Sequence, residues 1–140
     1  MNKQTSWTPN SLRQLLAKAR EASSRAYAPY TGFRVGAALC FPDGRILVGC
    51  NVENASLGLS MCAERNVVGA MVALRLSNPL AIAVSGAPEG GPEVLCPPCG
   101  ACRQVLMEFA PELIVVLGVG DDISIHRVTD LLPLSFSLRG

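Results

Sequence analysis

Two short cysteine-bearing segments constrain this chain more than any other part of its sequence. Residues 60–65 read SMCAER and residues 98–104 read PCGACRQ, and each segment stands at the start of a predicted helix. Together they supply three thiols and one carboxylate, from Cys62, Cys99, Cys102 and Glu64. Thiols of this kind suit a zinc ion, and one shared ion would require two helix N-termini to meet at one edge of the fold.

Composition and charge limit the partners and the compartment. The 140 residues suit a single domain, residues 1–140, and their 49% hydrophobic and 16% charged content predicts that partner subunits cover apolar surface. The formal net charge of +1, without a basic stripe, excludes nucleic acids as partners. The first ten residues lack the apolar core of a secretion signal, and the longest apolar run, residues 113–120, is too short to span a bilayer. We therefore expect no membrane association and a cytoplasmic location, where clustered cysteines bind metal rather than form disulfides.

Hydrophobic periodicity and turn residues predict five strands with helices between them. Thr8 as N-cap and Pro9 as first helical residue begin a helix that runs to about Ala26, and PDGR at residues 42–45 predicts a hairpin turn. Before the loop at residues 86–98, the sequence predicts strands over residues 34–40 and 46–52, a helix capped by Ser60 that runs to residue 76, and a strand over 80–85. After that loop it predicts a helix over 99–110, strands over 113–119 and 123–126, and a short helix over 129–132.

This order of elements predicts an α/β fold. A β-hairpin followed by helix, strand, helix and strand forms a mixed five-stranded sheet with parallel strands at its centre. Helices on both faces make it a three-layer α/β/α sandwich. Ligands of such sheets bind beyond the strand ends at helix N-termini, where both cysteine segments fall.

The cysteine spacing predicts a catalytic rather than a structural zinc site. Cys99 and Cys102 are one helical turn apart, and Cys62 in a first turn can reach the same ion end-on. Three protein ligands leave one tetrahedral position open for water. Three thiolates carry more negative charge than the ion neutralises, so we expect the two helix N-termini and Arg65, one turn after Cys62, to compensate as partners of the ligand sulfurs.

Other interpretations remain open at this point. Cys96 could act as a fourth ligand, because CPPC at residues 96–99 is itself a metal-binding spacing, and the site would then be closed and structural. A dithiol oxidoreductase could use Cys99 at its helix start. The single histidine, His126, is interpreted as structural, and Cys40 and Cys50 as small core residues of strands.

At these residues the chain resembles the cytidine deaminase family of small homotetrameric zinc enzymes, which convert cytidine and 2′-deoxycytidine to the uridine forms. The resemblance covers residues 27–38 (YAPYTGFRVGAA), 49–55 (GCNVENA), both cysteine segments and residues 130–136 (DLLPLSF). A related deaminase signature uses a glutamate as general acid and base without binding the metal.

The resemblance implies a role for each matching residue. It implies that Cys62, Cys99 and Cys102 bind zinc, and that Glu64 moves protons between water, the pyrimidine N3 and the leaving amine. It implies further that four residues contact the nucleoside within the chain and that one tail residue enters a neighbouring subunit's site. The four are Asn51 and Glu53 on the ribose, Phe33 on the pyrimidine and Ala63 through its backbone, and the tail residue is Phe136.

Two departures from the family pattern bear on substrate range. Leu57 stands where the family commonly has tyrosine, near a pocket edge built between subunits, and residues 137–140 (SLRG) lack the usual acidic ending. A changed rim would suit a modified cytosine nucleoside such as blasticidin S. The competing class is a non-catalytic, zinc-stabilised interaction protein.

Overall fold

The structure, a computed structural model, describes residues 8–139, so most of the polar N-terminal segment considered above and the last tail residue, Gly140, lie outside the described residues. No helix within residues 8–139 is both long enough and apolar enough to cross a membrane. The elements are α1 (Pro9–Ser23), β1 (Phe33–Cys40), β2 (Ile46–Cys50), a 3₁₀ turn (Leu57–Leu59), α2 (Ala63–Ala73), β3 (Ala81–Pro88), α3 (Gly100–Phe109), β4 (Ile114–Val119), β5 (Asp122–Arg127) and α4 (Val128–Leu131).

The five strands form one mixed sheet in the order β2-β1-β3-β4-β5. The central strand β3 runs parallel to β4, with Ala83 opposite Val116, because α3 provides the crossover that a parallel pair requires. The pairs β1–β2, β1–β3 and β4–β5 are antiparallel. The predicted fold, a five-stranded mixed sheet with parallel strands at its centre, is confirmed.

Helices cover both faces of the sheet, as the pattern of buried residues requires. Side chains alternate along a strand, so Ala38 and Cys40 of β1 face α1, whereas Ala37 and Leu39 face α2 and α3. The core on the α1 face contains Leu12, Leu15, Leu16, Ala19, Ala83 and Val116. The core on the opposite face contains Val67, Met71, Leu106, Val84, Val115 and Leu117. The molecule is therefore a three-layer α/β/α sandwich.

Element ends differ from the prediction where tertiary pairing replaces local propensity. α1 begins at Pro9 behind a Thr8 cap as expected but ends at Ser23, because Tyr27 pairs with Val52 and draws the chain away from the helix. β2 ends at Cys50, before the predicted residue 52. The third strand extends to Pro88 instead of stopping at residue 85, because its last residues pair with the start of β1.

The start of α2 also differs, and this difference matters for the site. Its N-cap is Cys62, not Ser60. The Ser60 hydroxyl instead accepts a hydrogen bond from the backbone N–H of Asn54 at 3.1 Å, within the loop that follows β2. α2 ends at Ala73 rather than at residue 76, and Arg75 and Asn78 then adopt positive φ angles of 59° each. The prediction that Ser60 caps this helix is therefore wrong.

Candidate active site

Three thiols lie together where α2 and α3 begin. Cys62 is the N-cap of α2, Cys99 is the N-cap of α3, and Cys102 stands in the first turn of α3. The Sγ atoms of Cys62 and Cys99 are 3.9 Å apart, those of Cys99 and Cys102 are 3.4 Å apart, and all three lie within 4.8 Å of one another. The end-on arrangement predicted from the spacing is thus present, with two of the ligands in capping positions.

The sulfur separations fit a zinc ion. Zinc–thiolate bonds of about 2.3 Å in tetrahedral geometry place sulfurs about 3.8 Å apart. The separations of 3.4 and 3.9 Å bracket that value. Neither capping cysteine makes a side-chain hydrogen bond to its own helix start, which leaves the sulfurs available to a metal. Soft thiolate donors in this number and geometry suit zinc.

The guanidinium group of Arg65 lies against this cluster. Its Nη2 donates to Cys62 Sγ at 3.4 Å, and this hydrogen bond is the main reason that the pKa of Arg65 is raised above its usual value. Its Nε is buried without a hydrogen-bond partner among the described residues. Burial, and then the nearby Glu64 carboxylate, raise the pKa of Cys102. Partial burial alone would raise the pKa of Cys99, but hydrogen bonds from Cys102 and Ala101 lower it. The sulfurs of Cys99 and Cys102 therefore lie in different electrostatic environments.

Glu64 is a buried carboxyl group beside the thiols. It occupies the first turn of α2 and is only 4% exposed. Burial raises the pKa of its carboxyl group, and its own backbone N–H and the Arg65 charge limit that rise. A raised pKa brings a carboxyl group closer to the range in which it can both accept and donate a proton, as general acid–base catalysis requires.

A cavity of about 280 Å³ opens in front of the cysteines and is formed by residues from several elements. Glu64 lines this cavity, together with five other residues that were predicted as site residues: Asn51, Glu53, Cys62, Ala63 and Cys99. Five others were not predicted: Val35, Ser60, Met61, Cys96 and Pro97. Val35 could have been found, because it stands two residues after Phe33 and so shares a face of β1 with it. Met61 carried no such signal in the sequence.

Asn51 and Glu53 hold the cavity's walls together through their side chains. Asn51 Oδ1 accepts from the Val35 N–H at 2.8 Å, and its Nδ2 donates to the Phe33 carbonyl at 2.9 Å. The Glu53 carboxylate accepts from the Tyr30 and Thr31 backbone N–H groups at 2.9 and 3.1 Å and from the Thr31 hydroxyl. The hydrogen bond from Thr31 is the main reason that the pKa of Glu53 is lowered. Both residues line the cavity and also fix the start of β1.

The two predicted contact residues Phe33 and Phe136, and the divergent residue Leu57, lie at or beyond the cavity edge. The Phe33 ring approaches Gly86, next to the Cys96 side chain, and is not part of the cavity lining. Phe136 is 69% exposed and lines a separate groove with Met107 and Pro111. Leu57 lies in the 3₁₀ turn, 75% exposed.

The remaining cysteines and the histidine do not join the metal group. Within residues 8–139, the clustered ligand atoms come from three thiols, and Cys96 is not among them. Cys96 packs instead over Gly86, and burial raises its pKa to about 11. His126 pairs with the Ser124 hydroxyl at 2.9 Å on β5. Cys40 is buried as predicted, and Cys50 is half-buried. The geometry therefore favours an open three-thiol site over a closed four-thiol site.

Comparison with known proteins agrees with this geometry. The family model for the cytidine and deoxycytidylate deaminase zinc-binding region matches residues 9–118. A cytidine deaminase of Mycobacterium tuberculosis is 42% identical over 124 residues, which is 89% of this chain and 88% of that protein. A cytidine deaminase of Halalkalibacterium halodurans is 44% identical over 128 residues, or 89% and 94% of the two chains. The crystal structure of cytidine deaminase from Burkholderia pseudomallei aligns with a TM-score of 0.80 at 45% identity, over 89% of this chain and 98% of that one. This chain therefore belongs to the cytidine and deoxycytidylate deaminase family.

Proposed function

We propose that this protein catalyses the zinc-dependent hydrolytic deamination of cytidine and 2′-deoxycytidine to uridine and 2′-deoxyuridine, a reaction of pyrimidine salvage. The observation that carries the proposal is the buried Glu64 carboxyl group in the same cavity as Cys62 and Cys99. A purely structural zinc site gives no reason to bury an ionisable group beside the ligands at a cost in free energy. The names of the relatives described above agree with this substrate class.

The chemistry follows from the residues that surround the cavity. Cys62, Cys99 and Cys102 would hold the zinc ion, which would lower the pKa of a bound water to about 7. Glu64 takes a proton from the attacking water and delivers it to the pyrimidine N3 as the water oxygen bonds to C4. Glu64 then transfers the proton of the new C4 hydroxyl to the amino group, so that the C4–N bond breaks, the C4 carbonyl forms and ammonia leaves. The net change replaces one amino group by one oxygen atom.

The cavity walls would orient the nucleoside. Asn51 has one amide hydrogen and one oxygen lone pair beyond its two hydrogen bonds to β1, and the Glu53 carboxylate also keeps acceptor capacity. These groups suit the two hydroxyls of a ribose. Ala63 at the start of α2 lines the cavity, where its backbone would contact the base. Phe33 and Val35 add apolar surface at the start of β1, Phe33 at the cavity edge.

We propose a homotetramer whose sites are completed by neighbouring subunits. Large apolar side chains are exposed near the cavity and in the tail, among them Leu57, Leu59 and Phe136 at 75%, 68% and 69%. Such exposure is typical of surfaces that other subunits cover. In this arrangement Phe136 contributes to a neighbour's site. A cytoplasmic location and a single domain over residues 1–140 belong to the same proposal, and the six free thiols support the reducing compartment.

The deciding experiment measures deamination by ultraviolet absorbance for cytidine, 2′-deoxycytidine and a modified cytosine nucleoside, together with the zinc content of the purified chain. Glu64→Gln removes more than one proton transfer, each typically worth roughly 10²–10⁴-fold in rate. Glu112→Gln, at an exposed site outside the cavity, is the matched control and should retain full activity. Activity that survives in Glu64→Gln would contradict the mechanism. A zinc-loaded chain without activity on any of the three nucleosides would favour the non-catalytic class.

A further inference from the structure

Glu93 lies at the centre of a hydrogen-bond network at the site end of the sheet. It belongs to the segment between β3 and α3. Its Oε2 accepts from Arg20 Nε of α1 and from the Ser85 hydroxyl of β3, both at 2.8 Å. Its Oε1 accepts from the N–H of Gly120, in the turn between β4 and β5, at 3.0 Å. Arg20 also donates to the Gly120 carbonyl at 2.6 Å. One carboxylate thus joins a helix, a strand and a turn to the segment that leads to Cys99.

The network keeps Glu93 ionised although it is partly buried. The side chains of Arg20 and Glu93 are 34% and 19% exposed. Partial burial would raise the pKa of Glu93, but the hydrogen bonds from Arg20, Gly120 and Ser85 outweigh it and lower the pKa. Ser85 is itself 3% exposed. These contacts differ from the exposed ion pairs of the same chain, such as Arg25 with Glu21, which contribute little.

The chain between Glu93 and the first α3 ligand has little freedom. The Val94 N–H bonds to the Gly86 carbonyl at 3.0 Å. The Cys96 side chain fills the space over Gly86, where its Sγ lies 2.8 Å from the position that a Cβ would take. Pro97 and Pro98 have fixed φ angles, and Arg103 Nε donates to the Pro98 carbonyl at 2.8 Å. Cys99 follows directly.

We propose that Glu93 is a positioning residue for the metal centre: it anchors residues 93–98 to α1 and the sheet so that the Cys99 sulfur is held in place opposite Cys62. The proposal rests on the zinc site of the proposed function, and it assigns Glu93 no contact with metal or substrate. Supporting groups around metal ligands typically change metal affinity or activity by roughly 10–100-fold when removed. Glu93 acts one step further out, through a stiff segment, so we expect the lower end of that range.

The test is the rate at which zinc-loaded protein releases zinc to an excess of a colorimetric chelator, measured at 25 °C. Glu93→Ala should release zinc about tenfold faster than the wild type. Glu93→Gln should be intermediate, because one amide oxygen cannot replace both carboxylate oxygens as acceptor for Arg20 and Gly120. Arg20→Ala should also accelerate release, and the double variant should be no faster than Glu93→Ala, since the two side chains act as a unit.

A control variant with a cavity in the core separates a positioning role of Glu93 from an effect on overall stability. Val116→Ala truncates a fully buried side chain on the face of the sheet that packs against α1, and α2 and α3 lie on the other face. It should lower the melting temperature but release zinc at the wild-type rate. Wild-type release in Glu93→Ala, or equal acceleration in Val116→Ala at a similar melting temperature, would overturn the proposal. If Glu93→Ala does not fold, wild-type rates in both Glu93→Gln and Arg20→Ala overturn it.

The chelator assay and the deaminase assay separate the two proposals. A chain that binds zinc but deaminates no cytosine nucleoside refutes the proposed activity, while its release rates still decide the role of Glu93. A wild-type chain that takes up no zinc would overturn the positioning role together with the zinc site.

Discussion

Gly49 allows β2 to lie directly against the start of α2, and Gly49→Ala should therefore disturb the site without touching it. A Cβ at this position would lie 2.9 Å from the Ala63 carbonyl oxygen, 3.0 Å from the Val67 nitrogen and 3.1 Å from the Val67 Cβ. Ordinary contacts of this kind begin at 3.4 Å. The backbone must therefore separate by about 0.5 Å, and overpacking of this kind costs about 1–3 kcal/mol.

Whether α2 or β2 moves to relieve this contact, the displacement reaches the site. Ala63 and Val67 are both fully buried, so α2 cannot recede freely, and its first turn carries Glu64 behind the Cys62 cap. If β2 moves instead, the displacement passes to Asn51, which follows its last residue. A displacement of about 1 Å can cost 10²-fold in rate, so about half of that should lower kcat/KM by roughly tenfold. The melting temperature should fall by about 4 °C for each kcal/mol lost in a chain of this size.

The control is Gly69→Ala on the same helix. Gly69 is exposed, and a Cβ there would meet nothing within 4 Å. Alanine should stabilise the middle of α2 by about 0.5–1 kcal/mol and leave kcat/KM unchanged. Steady-state kinetics, melting curves and zinc content of both variants test this. Wild-type kinetics and melting temperature in Gly49→Ala would show that the close approach of β2 and α2 is not required.

Three further predictions concern single side chains. Glu64→Gln should raise the melting temperature of the metal-free protein at neutral pH. Burial raises the pKa of Glu64 in the folded state, so the wild type loses stability as the pH rises above the unfolded-state pKa of about 4.3. In melting experiments with chelator, the difference in melting temperature between Glu64→Gln and the wild type should therefore grow from pH 4 to pH 7. No such growth would contradict the cost of ionising Glu64. Cys96→Ser should still bind one zinc per chain in metal analysis, because Cys96 lies outside the three-thiol group. Loss of zinc in this variant would instead support the closed site with four thiolate ligands. Thr8→Ala should cost about 1 kcal/mol of stability by denaturant unfolding, because the Thr8 hydroxyl accepts from the Ser11 N–H at 3.1 Å, and an unchanged midpoint would contradict that capping role.

The order of the layers could be predicted from the sequence because most elements have a clear hydrophobic periodicity and recognisable residues at their ends. Thr8 and Pro9 mark the start of α1, and the buried strands β3 and β4 read as continuous apolar runs. Two of the wrong element ends, the end of α1 and the end of β3, lie where segments pair that are distant in the sequence. The bridge between Tyr27 and Val52, and the pairing of Phe33 with Pro88, depend on contacts that no local window contains.

The three-thiol group was predictable for a different reason than the cavity. Cys99 and Cys102 lie in one short segment, and their spacing alone limits the geometry that they can adopt. Cys62 had to be brought to them by the fold, and the sequence placed the helix start at Ser60 because serine caps helices more often than cysteine does. Val35 and Met61 line the cavity only because of how β1 and the loop before α2 approach one another. Such residues have no chemical signature of their own.

In the proposed mechanism, charge links the three-thiol group to the Glu64 carboxyl group. Three thiolates around Zn²⁺ leave one net negative charge, and each helix N-terminus returns only about half a positive charge. Arg65 supplies a full charge, donates to Cys62 Sγ and limits the rise in the Glu64 pKa that burial causes. Its neighbour in sequence, Glu64, needs the opposite surroundings, because a carboxyl group without that burial would stay ionised and donate no proton at neutral pH. In the proposed mechanism, their adjacent positions at the start of α2 would let one guanidinium stabilise the thiolates while burial keeps the pKa of the carboxyl group raised.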